Sequence, residues 1–173
     1  MNIIVAPDNR LNQISKKVEV VDNTIVSILS QMLECMYKNS GIGLAAPQVG
    51  ILKRLVVVDC SDKNNIKKPL KLINPEIIQL SSEISEFEEG CLSLPTQYAK
   101  VKRPAEIIIK FQNVEGVFCE ESFSGIEATC IQHEIDHLDG KLFVDHVSKL
   151  KKNFIIRKLI KLKKNKKWIK YLV

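Results

Sequence analysis

The chain has 173 residues, 45% hydrophobic and 27% charged, with five Cys, seven Gly and six Pro; this fits one globular domain over residues 1–173 and excludes a low-complexity, collagen-like or disulfide-stapled chain. No apolar run approaches the roughly 18 to 20 residues of a membrane helix, and residues 1–10 lack both a basic start and a long apolar stretch, so a soluble, cytoplasmic protein with no membrane partner is expected. The net charge of +6 is unevenly divided: residues 149–170 hold eleven of the 26 basic residues and no acid, leaving 15 basic against 20 acidic residues elsewhere, so an acidic body carries a basic tail suited to a polyanionic partner.

The first predicted element is a helix over residues 24–39, where Ile25, Ile28, Leu29, Met32, Leu33 and Met36 recur at three and four residues along one face and Gly41 stops it. Short β-branched runs follow at residues 55–58, 71–73, 77–80, 84–87, 107–111 and 117–121. Asn74-Pro75, Gly90, Arg103-Pro104 and Glu115-Gly116 separate them, the last reading as a hairpin turn. Gly125 opens a second helix over residues 126–138, which ends before Asp139-Gly140. A third, from residue 148 to about 166, is expected to bury Leu150, Phe154, Ile155, Leu159 and Leu162 and to expose its lysines. Neither a repeat nor an interdomain linker interrupts this order. The fold class is therefore α+β, with mainly antiparallel β-sheets around the central helix and a basic C-terminal helix.

The central helix carries His133-Glu134-Ile135-Asp136-His137. Residues four apart share a helix face, so the two imidazoles can bind one metal while Glu134 sits beside it, placed to move protons. Two of only three histidines at this spacing around a Glu argue against mere capping or packing. A catalytic site of this kind commonly takes a third protein ligand and keeps a position for water. Cys91 has the best context, in Glu88-Glu89-Gly90-Cys91-Leu92-Ser93-Leu94-Pro95 after a flexible glycine, but a buried core thiol explains it as well. Cys130, three residues before His133, lies near the site without having to face it; Cys35, Cys60 and Cys119 read as structural thiols, and His146 as an ordinary surface or capping residue.

Gly41-Ile42-Gly43-Leu44-Ala45-Ala46-Pro47-Gln48-Val49-Gly50 superficially suggests a dinucleotide loop. The required order is strand, glycine turn, helix; here a helix precedes the glycines, and Pro47 and Gly50 break the segment where the second element should run. A tight turn is the plain reading. The functional one is a loop that exposes backbone to a substrate, with Gln48 offering an amide donor to a developing oxyanion.

Together these strings resemble bacterial peptide deformylases, whose pattern is a Gly-x-Gly-x-Ala-Ala-x-Gln loop, then Glu-Gly-Cys-Leu-Ser, then Gln-His-Glu-x-Asp-His; residues 41–48, 89–93 and 132–137 match in that order, with softer likeness over most of residues 1–150. The resemblance implies hydrolysis of the N-terminal formyl group from formyl-methionyl nascent polypeptides. It implies one divalent metal ion on Cys91, His133 and His137, with Fe2+ physiological and Zn2+, Ni2+ or Co2+ as replacements, and Glu134 as general base and acid. Gln48 and the Leu92 backbone N–H would form the oxyanion hole. Backbone at Ile42, Gly43 and Gly90 would pair with the substrate, Ile126 and Cys130 would help line a methionine pocket, and Phe87, Glu127 and Thr129 would occupy its rim. Glu89, Arg103 and Gln132 are candidates for orienting the ligands.

Two rivals use the same residues. A zinc endopeptidase shares the His-Glu-x-x-His string but takes its third ligand downstream, where His146 or Asp145 would have to serve. A ribosome-binding module with structural zinc would explain the tail and close the metal to water. For the enzyme, the tail is expected to dock on the ribosome or its RNA through backbone phosphates, with Trp168 and Tyr171 packing on the body or on RNA.

Overall fold

A computed structural model describes residues 1–61 and 66–164. It contains helix α1 (Asn23–Lys38), strand β1 (Gly43–Ala45), strands β2 (Leu55–Val58), β3 (Leu70–Leu80), β4 (Ile84–Gly90), β5 (Tyr98–Pro104), β6 (Glu106–Gln112) and β7 (Phe118–Ser124), and helices α2 (Gly125–Leu138) and α3 (Lys149–Lys164). The strands form a five-stranded sheet in the order β1-β2-β3-β6-β7 and a two-stranded sheet β4-β5, with antiparallel pairing throughout both. The α+β class with antiparallel sheets about the second helix is thus observed.

β2 shows why the core divides as it does. Successive side chains in a strand point to opposite faces. Leu55 and Val57 pack with Ile25, Leu29, Met32 and Met36 of α1, whereas Val56 and Val58 pack with Ala128, Ile131, Ile135 and Leu138 of α2. A strand covered on both faces reads as one unbroken apolar run, which Leu55–Val58 does. α2 is buried nearly all round, from Ala128 through Ile135, because it threads between the large sheet and the β4-β5 pair. It stops at Leu138, one residue past His137: Gly140 takes φ 73°, where a side chain is strained, and the Gly140 and Lys141 N–H groups return to the carbonyls of His137 and Asp136 at 3.2 and 2.8 Å.

Four expectations are corrected. The runs at 71–73 and 77–80 belong to one strand, β3, because Asn74 adopts φ 53° at a bulge and holds Val18 and Gln112 through its side chain, so Asn74-Pro75 bends the strand without ending it. β1 occupies part of the glycine-rich loop. β5 lies where only Arg103-Pro104 punctuation had been read; its inward residues are Ala99, Val101 and Arg103, and an inward arginine hides the alternation. On α3, Ile155 and Leu159 are buried beside Leu94, Phe143 and Val144, and Leu162 packs at the edge, but Leu150 and Phe154 are 83% and 57% exposed. The body covers a narrower stripe of this helix than its apolar residues would fill. The expected helix residues 165–166, and Trp168 and Tyr171, lie outside the described residues.

Candidate active site

α2 presents His133 and His137 on one face, with ring centroids 5.0 Å apart. The loop leaving β4 brings Cys91 to them: its Sγ lies 3.2 Å from His137 Nε2, and the donor atoms of Cys91, His133 and His137 all lie within 4.8 Å of one another. The sulfur left open by its sequence context therefore meets the two imidazoles.

His133 is held from behind. Its Nδ1 meets Glu89 Oε2 at 2.8 Å, and since a carboxylate only accepts, Nδ1 carries a proton and Nε2 is the nitrogen left to face a cation. Arg103 clamps Glu89 with Nε and Nη2 at 2.6 and 3.0 Å, and its Nη1 donates to Asp136 Oδ2 at 2.8 Å. His146 Nε2 donates to that same oxygen at 2.7 Å. Burial opposes ionisation of Glu89 and Asp136, but hydrogen bonds from His133 and Arg103 to the first, and from His146 and Arg103 to the second, hold both carboxyls below the usual range. Phe143, from a 3-10 turn at Phe143–His146, stacks on the His133 ring at 6.2 Å and 21°. Gln132 does not join this network; it donates to the Pro104 and Ala128 carbonyls, tying α2 to the end of β5.

The protonation balance suits a metal. Burial works against charge on His133, yet Cys91, Glu89 and Glu134 around it raise its pKa well above the ordinary value. Burial and the neighbouring His133 charge push His137 well below. A half-buried thiol, two buried imidazoles and a buried carboxylate so close together gather negative and lone-pair character at one point, which one divalent cation would satisfy. A set of one sulfur and two nitrogens fits such an ion, and several first-row metals accept it.

Glu134 is 3% exposed, and burial pushes its carboxyl up to about 7. Its Oε2 has no hydrogen-bond partner among the described residues. Gly43 faces it: a Cβ built there would meet Cys130 Sγ at 2.7 Å and the Glu134 carboxylate closer still, so only glycine lets β1 run so near the site. Gln48, 1% exposed, accepts the Ala45 N–H on Oε1 at 2.8 Å, which turns its Nε2 toward Cys91 Sγ at 3.4 Å and Ser93 Oγ at 3.3 Å. The Leu92 N–H beside them donates to no acceptor among the described residues.

Gly43, Gln48, Cys91, Leu92, His133 and Glu134 line a cleft of about 580 Å³ that also includes Ile42, Gly90, Ile126, Cys130, Phe87 and Thr129. Glu127 is exposed outside it. Cys130 Sγ sits 3.7 Å from the Ile42 carbonyl. That carbonyl also accepts the Asp59 N–H at 2.8 Å and so faces β2; by alternation the N–H and C=O of Gly43 point the other way, off the unpaired edge of the sheet. Tyr98, opposite Gly90 across β4-β5, lies against it, since a Cβ on Gly90 would meet the ring at 2.6 Å. Tyr98, Phe143 and the His146–Asp136 contact were not legible in the sequence; for Tyr98 the inward Arg103 hides the alternation that would mark β5. The downstream ligands of an endopeptidase are engaged elsewhere, His146 on Asp136 and Asp145 on Lys152 and the Leu142 N–H.

Comparison with known proteins agrees with this geometry. The polypeptide deformylase family model matches residues 1–153. The chain is 47% identical over 164 residues to the peptide deformylase of Bartonella quintana (strain Toulouse), covering 95% of this chain and 93% of that relative. The crystal structure of peptide deformylase from Ehrlichia chaffeensis aligns with a TM-score of 0.91 at 36% identity, covering 96% of this chain and 98% of that one. The peptide deformylase from Legionella pneumophila aligns with a TM-score of 0.86 at 42% identity, covering 95% of each chain.

Proposed function

The chain belongs to the polypeptide deformylase family, and from that premise we propose that it hydrolyses the N-terminal formyl group of formyl-methionyl nascent polypeptides, releasing formate and a free amino terminus. The carrying observation is the convergence of Cys91, His133 and His137 beside the cleft that Cys91 and His133 line together with Glu134 and Gln48. In this reading Cys91, His133 and His137 hold one divalent metal ion. Bound there, a divalent ion lowers the pKa of water and polarises a carbonyl oxygen. The ligand set accepts several divalent ions, and family membership implies Fe2+ as the physiological one, with Zn2+, Ni2+ or Co2+ as substitutes.

Glu134 takes a proton from the attacking water and returns it to the departing amine, a role that its raised pKa fits, because a group poised near neutrality both accepts and donates. The Gln48 Nε2 amide and the Leu92 N–H stabilise the charge that develops on the formyl oxygen; Gln48 is pre-aimed by Ala45 and needs no reorganisation. The free edge at Gly43 and the backbone of Gly90 pair with an extended substrate, as in addition of a strand to a sheet edge. Ile42, Ile126 and Cys130 form the apolar wall for the methionine side chain. A formyl carbon carries hydrogen where other acyl groups carry carbon, so a tight site admits it and rejects acetyl on steric grounds.

Residues 1–173 act as one catalytic domain, since Ile155 and Leu159 of α3 enter the same apolar cluster as Ala99 and Val101 of β5. Ribosome or ribosomal RNA contact through the basic helix, and a cytoplasmic location, complete the reading; no helix among the described residues is long and apolar enough to cross a membrane. Anaerobic purification with metal analysis, followed by formate release from formyl-Met peptides, tests it. Stoichiometric metal with formate release and no cleavage of blocked internal peptides is expected. Internal cleavage without formate would overturn it in favour of an endopeptidase, and bound zinc with neither activity would favour a structural site.

A further inference from the structure

The hydrogen bonds behind His133 continue to the surface. From His133 Nδ1 they pass to Glu89, to Arg103, to Asp136 and end on His146, and each link measures between 2.6 and 3.0 Å. The inner side chains are at most 16% exposed, whereas His146 is 33% exposed and forms the outer end. We infer that His146 is a positioning residue for the metal centre: by donating from Nε2 to Asp136 it fixes the carboxylate that aims Arg103, and through Glu89 it sets the ring orientation and tautomer of His133. This rests on the metal reading above.

Two observations carry the inference beyond an ordinary ion pair. Arg103 is one cation between two carboxylates, the buried Glu89 and the half-buried Asp136, and spends two of its donors on Glu89. Asp136 is left with a single Arg103 bond, and His146 supplies its second donor on the same oxygen. Without it Asp136 can draw Arg103 outward and loosen the clamp on Glu89. The same 3-10 turn that carries His146 also stacks Phe143 on His133, so this short segment reaches the ligand both by hydrogen bonds and by packing. An exposed pair with no such continuation would add little to stability and leave the metal untouched.

The test uses full-length Co2+-loaded protein as wild type, His146→Ala, His146→Gln and Arg54→Ala. Gln can offer an N–H near the position of His Nε2. Arg54→Ala removes the Arg54–Asp139 pair beyond the end of the same helix, away from the cleft, and controls for general loosening. Measured are the thiolate-to-cobalt and d–d absorption, the rate of Co2+ transfer to a chelator, and the thermal midpoint. Loss of a directly attached outer partner typically costs 10–100-fold in metal affinity, and His146 acts at greater remove, so His146→Ala is expected to release Co2+ about 3- to 10-fold faster with shifted d–d bands. His146→Gln is expected within about twofold of wild type, and Arg54→Ala likewise. Wild-type release from His146→Ala, equal acceleration in His146→Gln, or equal acceleration in Arg54→Ala each overturns the inference. Absence of thiolate-to-cobalt absorption in wild type would instead overturn the metal reading itself.

Discussion

Replacing Arg103 with Met keeps the length of the side chain and removes its charge. In the native protein Arg103 is 4% exposed and makes three charge-assisted hydrogen bonds, two to Glu89 and one to Asp136. Glu89 would keep only His133 and Asp136 only His146, leaving a buried and a half-buried carboxylate short of positive charge. Removing one member of a buried pair costs about 3–5 kcal/mol, because the partner stays desolvated. For a chain of this size that corresponds to roughly 10 °C in thermal midpoint. Urea unfolding of both proteins, metal-free so that metal release does not enter, measures the difference. The pH dependence has a defined sign. In the wild type the folded pKa values of Glu89 and Asp136 are depressed, so their stabilisation is present above the unfolded carboxylate pKa of about 4 and is lost as pH falls through the folded values. In Arg103→Met burial dominates and raises those values, so the mutant regains stability as the carboxyls protonate. The gap should therefore be widest near pH 8 and shrink toward pH 4.5. A loss below about 1 kcal/mol at pH 8, or one independent of pH, would refute the buried clamp.

Glu134→Gln is expected to retain metal and lose about 10²- to 10⁴-fold in formate release, measured on metal-replete protein. In the metal-free protein the raised Glu134 pKa of about 7 means that its stability is full below the unfolded value and declines as pH rises through 7, so Glu134→Gln should be more stable by about 2–3 kcal/mol at pH 8.5 and no more stable near pH 4.5. Gly43→Ala should cost about 1–3 kcal/mol and depress kcat/KM, since the added methyl meets Cys130 and Glu134; an unchanged kcat/KM would show that β1 yields there freely. For the tail, charge reversal at the exposed Lys151, Arg157, Lys158 and Lys161 leaves Ile155 and Leu159 in place and should weaken ribosome binding with a shallower salt dependence; an unaltered affinity in sedimentation would count against docking through this helix.

Local periodicity determined much of the framework. The three- and four-residue spacing of Ile25, Leu29, Met32 and Met36 specified α1, the unbroken Leu55–Val58 run specified β2, and the four-residue separation of His133 and His137 placed both rings on one helix face. Each of these depends on atoms within one element, where the helical or pleated repeat converts sequence spacing into distance. Cys91 was another matter. Its sulfur lies 46 residues from His137, no repeat spans that interval, and composition left it even with a core thiol; the matching Glu-Gly-Cys-Leu-Ser string singled it out by resemblance, and tertiary structure alone brought it to 3.2 Å. The same reason hid β5, whose inward face includes an arginine compensated by residues of two other elements, and the contact of His146 with Asp136 across a helix end. Periodicity also misjudged Leu150 and Phe154, because the apolar stripe of a helix says which residues could be covered, while the shape of the body beneath decides how many are.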